Sequence, residues 1–298
     1  MAQASAVKTY EQVGEREDLT DVISTITLHE TPLFSGLEHV KARGTYHEWQ
    51  TDSLTTGSAN NQIEGADFSF ALAASRSRTG AYTQIFTKTI EVSETIRSVS
   101  VAGLEDEYAY QMEKKMKEIA TDVEKALITA TGNSGASGTA RRLKGIFSWI
   151  TTNVESGSGT GTQALSESMY NSILQEIWTA GGRPDAAYVN GFQKRKISAF
   201  ATSNTRYLEV TEEAKLLNKV SVYESDFGVQ RIILDSFMDT DKVACLQRDM
   251  WKVAVLRGIH QVDVATVADA KRGALVGELT LEARNQASSG EIVQLTTS

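Results

Sequence analysis

The sequence predicts an α+β fold, on three observations. A long amphipathic helix spans about Glu105 to Ala130. Short apolar segments rich in β-formers fill the last third of the chain. Between Gly44 and Ser100 lies a polar stretch, rich in Ser, Thr, Gly and Ala and thin in Leu, Ile and Val. Helices in the middle and strands late make the α+β pattern rather than alternating βα units. More than fifty residues with so little to bury are uncommon in a compact domain. A subunit that finishes folding against its neighbours can carry them, so the contrast points to assembly rather than catalysis.

Size and charge bound the reading. A chain of 298 residues suits one large domain or two modest ones. A hydrophobic fraction of 41% is a little low but enough for a core, and two prolines exclude a proline-rich linker protein. The net charge of −8 argues against an overall electrostatic grip on nucleic acid, though not against enclosing it without gripping. Cys245 is the single cysteine, set in the apolar run Val243-Ala244-Cys245-Leu246, where a thiol acts as a small hydrophobe. One cysteine makes no intrachain disulfide, which suits a reducing compartment. Met1 to Ser5 lacks the regions of a signal peptide, and no run approaches the ~20 apolar residues of a membrane helix. A soluble chain made in a cytoplasm is the expectation.

The elements follow in order. Leu19, Val22, Ile23 and Ile26 recur with helical spacing, and Asp18 is an N-cap candidate. Thr31-Pro32 ends that helix, and Leu33, Phe34 and Leu37 offer an apolar knob. Tyr46 to Gln50 alternates like a strand; Thr55 to Asn61 reads as a polar turn region. Phe68, Phe70 and Leu72 give a second strand signal, and Tyr82 to Ser93 another. Together they predict a long β-arm, which is marginal in water until it lies on a surface.

The helix from Glu105 to Ala130 presents Tyr108, Met112, Met116, Ile119, Val123 and Ala126 on one side and mostly charged residues on the other. Its 26 residues make a rod of about 39 Å. The period alone fits either the backbone of a broad, thin subunit or a core helix of a compact domain. Gly132 to Gly135 is expected to stop it. Leu143 to Ile150 is apolar, flanked by glycine loops at 132–138 and 157–161. A second helix, Ser166 to Ala180, carries Met169, Tyr170, Ile173, Leu174, Ile177 and Trp178. Ala186 to Asn190 is a buried strand. Gln193 to Ala201 is a third helix, with Ile197 and Phe200 inward and Lys194, Arg195 and Lys196 outward. Val220 to Tyr223 and Gln230 to Leu234 flank Asp226-Phe227-Gly228 as a hairpin. Val243 to Leu246 and Trp251 to Leu256 flank Gln247-Arg248-Asp249 as a second one. Val262 to Val267 and Leu275 to Arg284 close the chain as strands.

Chemical motifs are missing. There is no GxxxxGK[ST] loop, no HExxH or paired-cysteine spacing and no GxSxG elbow. Gly157 to Gly161 lacks the context of a dinucleotide fingerprint. Asp226-Phe227-Gly228 matches a kinase triplet by letters alone and reads as a turn. His29, His39, His47 and His260 read as surface or interface histidines; His39 and His47 are placed to meet a partner's carboxylates. Glu105-Asp106-Glu107 reads as first-turn acid. Arg141-Arg142 with Lys144, and Lys194-Arg195-Lys196, lack interleaved aromatics and read as a solvated face or as partners in inter-subunit salt bridges. No catalytic, cofactor-binding or metal-ligating residue is assigned.

Several short motifs in order carry a family resemblance. They are Thr31-Pro32-Leu33-Phe34, Trp49 with Asp52, Glu64-Gly65, Gln84-Ile85-Phe86 with Val92-Ser93, and the long helix leading to Gly145-Ile146. Later come Pro184, Tyr188-Val189-Asn190 with Gln193-Lys194, Asp226-Phe227-Gly228, Trp251, and Glu278 to Glu282 with Asn285. In this order the chain resembles major capsid proteins of tailed bacteriophages with the Hong Kong 97-like fold, over nearly its whole length. The resemblance implies an N-terminal arm at 1–43 and an extended loop at 44–95 lying over a neighbour. It implies a peripheral domain with a spine helix at 96–161, an axial domain at 162–238, and a return to the peripheral domain at 239–298. It implies pentamers and hexamers in an icosahedral shell around double-stranded DNA, assembled in a host bacterial cytoplasm, without enzymatic activity, cofactor or membrane. Scaffold, portal and decoration proteins are the partners it brings in. Only 104 residues precede Glu105 and arm and loop use them up, so no large cleaved segment is expected, and any scaffold would be a separate protein. The same fold serves encapsulin nanocompartments, and a soluble α+β enzyme is a third reading.

Overall fold

A computed structural model describes residues 30–54, 57–65, 67, 70, 75–99, 106–157, 163–203, 222–265 and 269–297. The helix expected around Leu19 to Ile26, His29, and the strand positions Phe68 and Leu72 lie outside the described residues.

In chain order, α1 (Pro32–Gly36), β1 (Glu38–Lys41), β2 (Tyr46–Thr51), β3 (Ser77–Tyr82), β4 (Gln84–Ser93) and α2 (Glu94–Ser98) precede the long α3 (Glu107–Thr129). Then come α4 (Ile146–Trp149), β5 (Val154–Ser156), α5 (Glu167–Thr179), β6 (Ala186–Val189) and α6 (Gly191–Ser203). The chain closes with β7 (Val222–Ser225), β8 (Gly228–Leu234), β9 (Val243–Leu246), β10 (Trp251–Asp263), β11 (Ala270–Ala283) and β12 (Gly290–Val293).

Pro32 opens a helix: it occupies the first turn of α1, where its missing N–H leaves no bond unmade. The start of α3 is set by Asp106, whose carboxylate accepts the Tyr108 N–H at 2.9 Å. Its end falls before the glycines, because Ala130 is already extended (φ −65°, ψ 137°). The buried face also differs from the predicted stripe. Tyr108, Ile119 and Val123 are covered, but Met116 is 43% exposed and Glu124, Leu127 and Ile128 are buried instead. The reason is that the C-terminal half of α3 is enclosed by α1 and α4 as well as by the sheet, so more than one of its faces is covered. α5 matches its predicted limits, with Ser166 Oγ capping Met169 N–H at 3.3 Å and Gly181 leaving in the left-handed region at φ +87°. Trp178, expected inward, is 57% exposed.

Three sheets form. One has the order β1-β10-β11-β4, with β1 parallel to β10 and the rest antiparallel. A second has the order β5-β12-β9-β6-β8-β7, in which β6–β8 and β5–β12 are parallel. The third is the two-stranded ribbon β2–β3. The six-stranded sheet is the wall between two cores. Ala186, Tyr188, Ala244 and Leu246 face α3, α4 and the four-stranded sheet. The alternate residues Ala187, Val189, Val243 and Cys245 face the core of α5 and α6. Strand periodicity sends neighbours to opposite faces, so a strand buried on both sides reads as an unbroken apolar run. Burial pushes the Cys245 thiol up to about 12, leaving it an inert hydrophobe.

The Asp226-Phe227 turn joins β7 to β8 as expected, with Gly228 at φ +131°. The second expected hairpin does not exist. β9 pairs with β6 and β12, whereas β10 pairs with β1 and β11, and the 3-10 turn Arg248–Met250 carries the chain from one sheet to the other. β9 and the first residues of β10 are both apolar and largely buried, so their composition did not reveal that they have different partners. Val262 is likewise not the start of a new strand. It belongs to β10, which continues past register shifts around Arg257 to Asp263.

Candidate assembly interface

The ribbon β2–β3 is the least self-sufficient part of the described chain. Its six rungs run from Tyr46–Tyr82 to Thr51–Ser77. The tilted ring pair Tyr46–Tyr82 (ring centres 4.5 Å apart) supports its root. A Cβ on Gly80 would stand 2.7 Å from the His47 carbonyl, so only glycine fits where the two strands meet this closely. Beyond the last rung, large apolar side chains among the described residues are bare: Leu54 is 99%, Ile63 84% and Phe70 96% exposed. Isolated exposed apolar residues are ordinary, but three such large side chains on one polar loop mark a surface awaiting a cover. Of the two strands expected in this loop, β2 is found and Phe70 is in no strand; the partner of β2 is β3.

The root of the ribbon is held by polar contacts to β11. There Leu279, Leu281 and Ala283 point into the core, while Glu278, Thr280 and Glu282 line the other face, all buried. Glu278 Oε1 accepts from Thr83 Oγ1 at 2.6 Å and from Arg141 at 2.8 Å, and Oε2 accepts from Arg257 Nε at 3.1 Å. Glu282 Oε2 lies 2.9 Å from His47 Nε2, and Oε1 accepts from Arg284 at 2.6 Å. Burial opposes charge on Glu282, but the hydrogen bonds from Arg284 and His47 outweigh it and hold the carboxyl below its ordinary value. Trp49 adds a ring contact to Trp149 of α4, with centres 5.5 Å apart.

A second anchor holds α1. The Leu33 and Phe34 N–H groups donate to the two oxygens of Glu124 on α3, at 2.7 and 2.8 Å. This is a carboxyl at a helix N-terminus, buried beneath the chain it holds. Burial pushes Glu124 up to about 8 against those two bonds, with Asp235 adding a like charge nearby. Burial raises Asp235 as well.

The residues singled out earlier fall as follows. His47 meets a carboxylate of its own chain rather than a partner's. His39 lies 2.9 Å from the Phe34 carbonyl, and His260 is 2.8 Å from that of Gly258. Arg141 pairs within the chain with Glu278, and Lys144 lies over Trp149 at 4.1 Å. Lys194, expected outward, is buried, while Arg195 is exposed. Asp106 is a cap rather than first-turn acid, a role left to Glu107. Among the described residues no His, Cys, Asp or Glu group is arranged to hold a metal ion, and no helix is long and apolar enough to cross a membrane. Sequence reasoning missed Glu124, Glu278 and Glu282 as anchors. The available signal was the acid at alternate positions in an otherwise apolar strand, Glu278-Leu279-Thr280-Leu281-Glu282.

A long helix on a four-stranded sheet, a second core behind a six-stranded sheet, and a projecting ribbon define the shell-forming Hong Kong 97-like fold. Solved capsids superpose over nearly all of both chains. The capsid asymmetric unit of cyanophage A-1(L) matches with TM-score 0.68 at 14% identity, covering 98% of this chain and 99% of that one. The capsid of a native GTA particle matches with TM-score 0.68 at 10% identity, covering 99% and 100%. The encapsulin SrpI of Synechococcus elongatus shares the fold too, with TM-score 0.61 at 9% identity over 95% and 94%. The family model of the SU10 major capsid protein matches residues 5–296, and the chain belongs to that family. It is similar to the major capsid protein of Escherichia phage Phieco32, at 25% identity over 97% of each chain. The family is one of structural shell proteins of tailed phages, not of enzymes, and its members assemble with copies of themselves into icosahedral capsids.

Proposed function

We propose that this chain forms pentamers and hexamers of a shell enclosing double-stranded DNA, and that it assembles in the cytoplasm of a bacterial host. The observation that carries this reading is the bare apolar loop on a body whose own cores are complete. In this reading 1–43 is the arm and 44–95 the loop segment, whose ribbon and tip before Thr83 are laid on a neighbour while β4 stays paired to β11 in the body; 96–161 is the peripheral domain with α3 as spine, and 162–238 the axial domain. The final part, 239–298, returns to the peripheral domain through β10 and β11, while β9 and β12 complete the six-stranded sheet. Many modest contacts of this kind add up to a strong shell. Scaffold, portal and decoration proteins are further partners in this reading; a solved Phage G capsid holds major capsid proteins together with decoration proteins. The charge of −8 suits a wall that does not bind DNA tightly.

Electron microscopy of particles from infected cells, with nuclease treatment before extraction of the contents, tests the proposal. Closed shells with nuclease-protected double-stranded DNA are expected. A discrete small oligomer, or shells filled with a cargo protein, would contradict it.

A further inference from the structure

We propose that Thr83 and Glu278 are positioning residues that set the angle at which the β2–β3 ribbon leaves the body, and so decide where its tip meets the next copy. The inference rests on the assembly reading of the loop. Pairing of β4 with β11 ends at Gln84–Leu279, and Thr83 is the single residue between that rung and the end of β3. Thr83 is fully buried; its N–H donates to the Thr45 carbonyl at 2.8 Å, and its hydroxyl donates to Glu278. Glu278 is itself fixed from two further directions. Arg141 comes from the loop after α3, and Arg257 from the irregular stretch of β10.

Four residues along the same face of β11, Glu282 holds His47 of β2. The ribbon is thus pinned at His47 of β2 and at Thr83 just past β3, by carboxylates about 13 Å apart along one rigid strand. One pin would leave a pivot; two pins define a direction. The Trp49–Trp149 ring contact adds cover but little direction, because apolar contact is not directional. Charge-assisted bonds to a buried carboxylate are both directional and strong. The lever is long enough to matter. The six residues of β2 extend about 20 Å, so a turn of ~15° shifts the far end by about 5 Å, one strand spacing.

Spin labels on Gln50→Cys, an exposed position of β2, and Lys117→Cys read the angle as a distance distribution, and Cys245, with no exposed surface, stays unlabelled. Thr83→Val removes the hydroxyl at nearly constant volume. The expected result is a broadened distribution with unchanged helix content and a melting temperature within a few degrees. Thr83→Ser should restore the narrow distribution, which a merely structural role for the methyl would not. In assembly, Thr83→Val should cut the yield of native-diameter particles roughly fivefold in favour of irregular ones, the weight of one buried hydrogen bond. Should Thr83→Val fail to fold, Glu278→Gln with the same labels carries the test. An unchanged distribution in the folded variant overturns the proposal. Failure of the unsubstituted chain to form shells would sink the assembly reading alone, since the label distances are read on the single subunit.

Discussion

In the body, Tyr188, Trp251 and Leu281 are covered by the chain's own side chains on every side. In the loop beyond β2, Leu54, Ile63 and Phe70 have almost no cover at all. Burying one such side chain is worth about 1.5–3 kcal/mol, so the loop alone withholds roughly 5 kcal/mol or more of stabilisation until something lies on it. The two regions spend the same kind of residue on different states: the body on the folded subunit, the loop on the assembled one. The polar root between them belongs to neither. Its carboxylates add direction, which hydrophobic burial does not supply.

The comparison can be broken from either side. Trp251 sits fully buried in the core with α3 and α4, with its indole N–H on Ser289 at 2.8 Å. Trp251→Ala should cost about 3–5 kcal/mol in denaturant unfolding of the unassembled subunit. A cost under 1 kcal/mol would mean that the body is not self-sufficient. Next in size is a pH effect. Glu124 is held neutral in the folded chain by burial, with its pKa near 8 against an ordinary 4.5. The folded state therefore binds more protons than the unfolded one between those values, and stability should fall as pH rises from about 4.5 to about 8. Glu124→Gln should flatten that slope, as melting temperatures at pH 5 and pH 8 would show. Smaller still, Asp106→Ala should remove the cap of α3 at about 1 kcal/mol without moving its C-terminal half. The smallest effect on the fold belongs to the loop. Leu54→Asp with Phe70→Asp should change subunit stability by less than about 0.5 kcal/mol. Particle yield, measured by sedimentation, should nevertheless collapse; undiminished yield would show that these side chains meet no neighbour.

Much of the body was legible in the sequence because local signals agreed there. Ser166 and Gly181 bracket α5, Asp226-Phe227-Gly228 turns β7 into β8, and Ala186 to Asn190 reads as a buried strand. What failed was pairing. Gln247-Arg248-Asp249 looked like a hairpin turn because local composition does not encode which distant strand a buried strand will join. The apolar stripe of α3 was misplaced toward Met116 because periodicity cannot count how many layers will cover a helix end. The candidate site was half visible. Its polar, apolar-poor loop stood out at once, yet the carboxylates that hold the loop root lie some 200 residues further along, and only the fold brings them together.

Hydrogen–deuterium exchange of the backbone at residues 44–82, compared between the lone subunit and closed particles, tests the central claim most directly. The account predicts fast exchange of residues 57–65, beyond the last β2–β3 rung, in the lone subunit, and strong protection of them once particles form. Equal and strong protection of this segment in the lone subunit would contradict it.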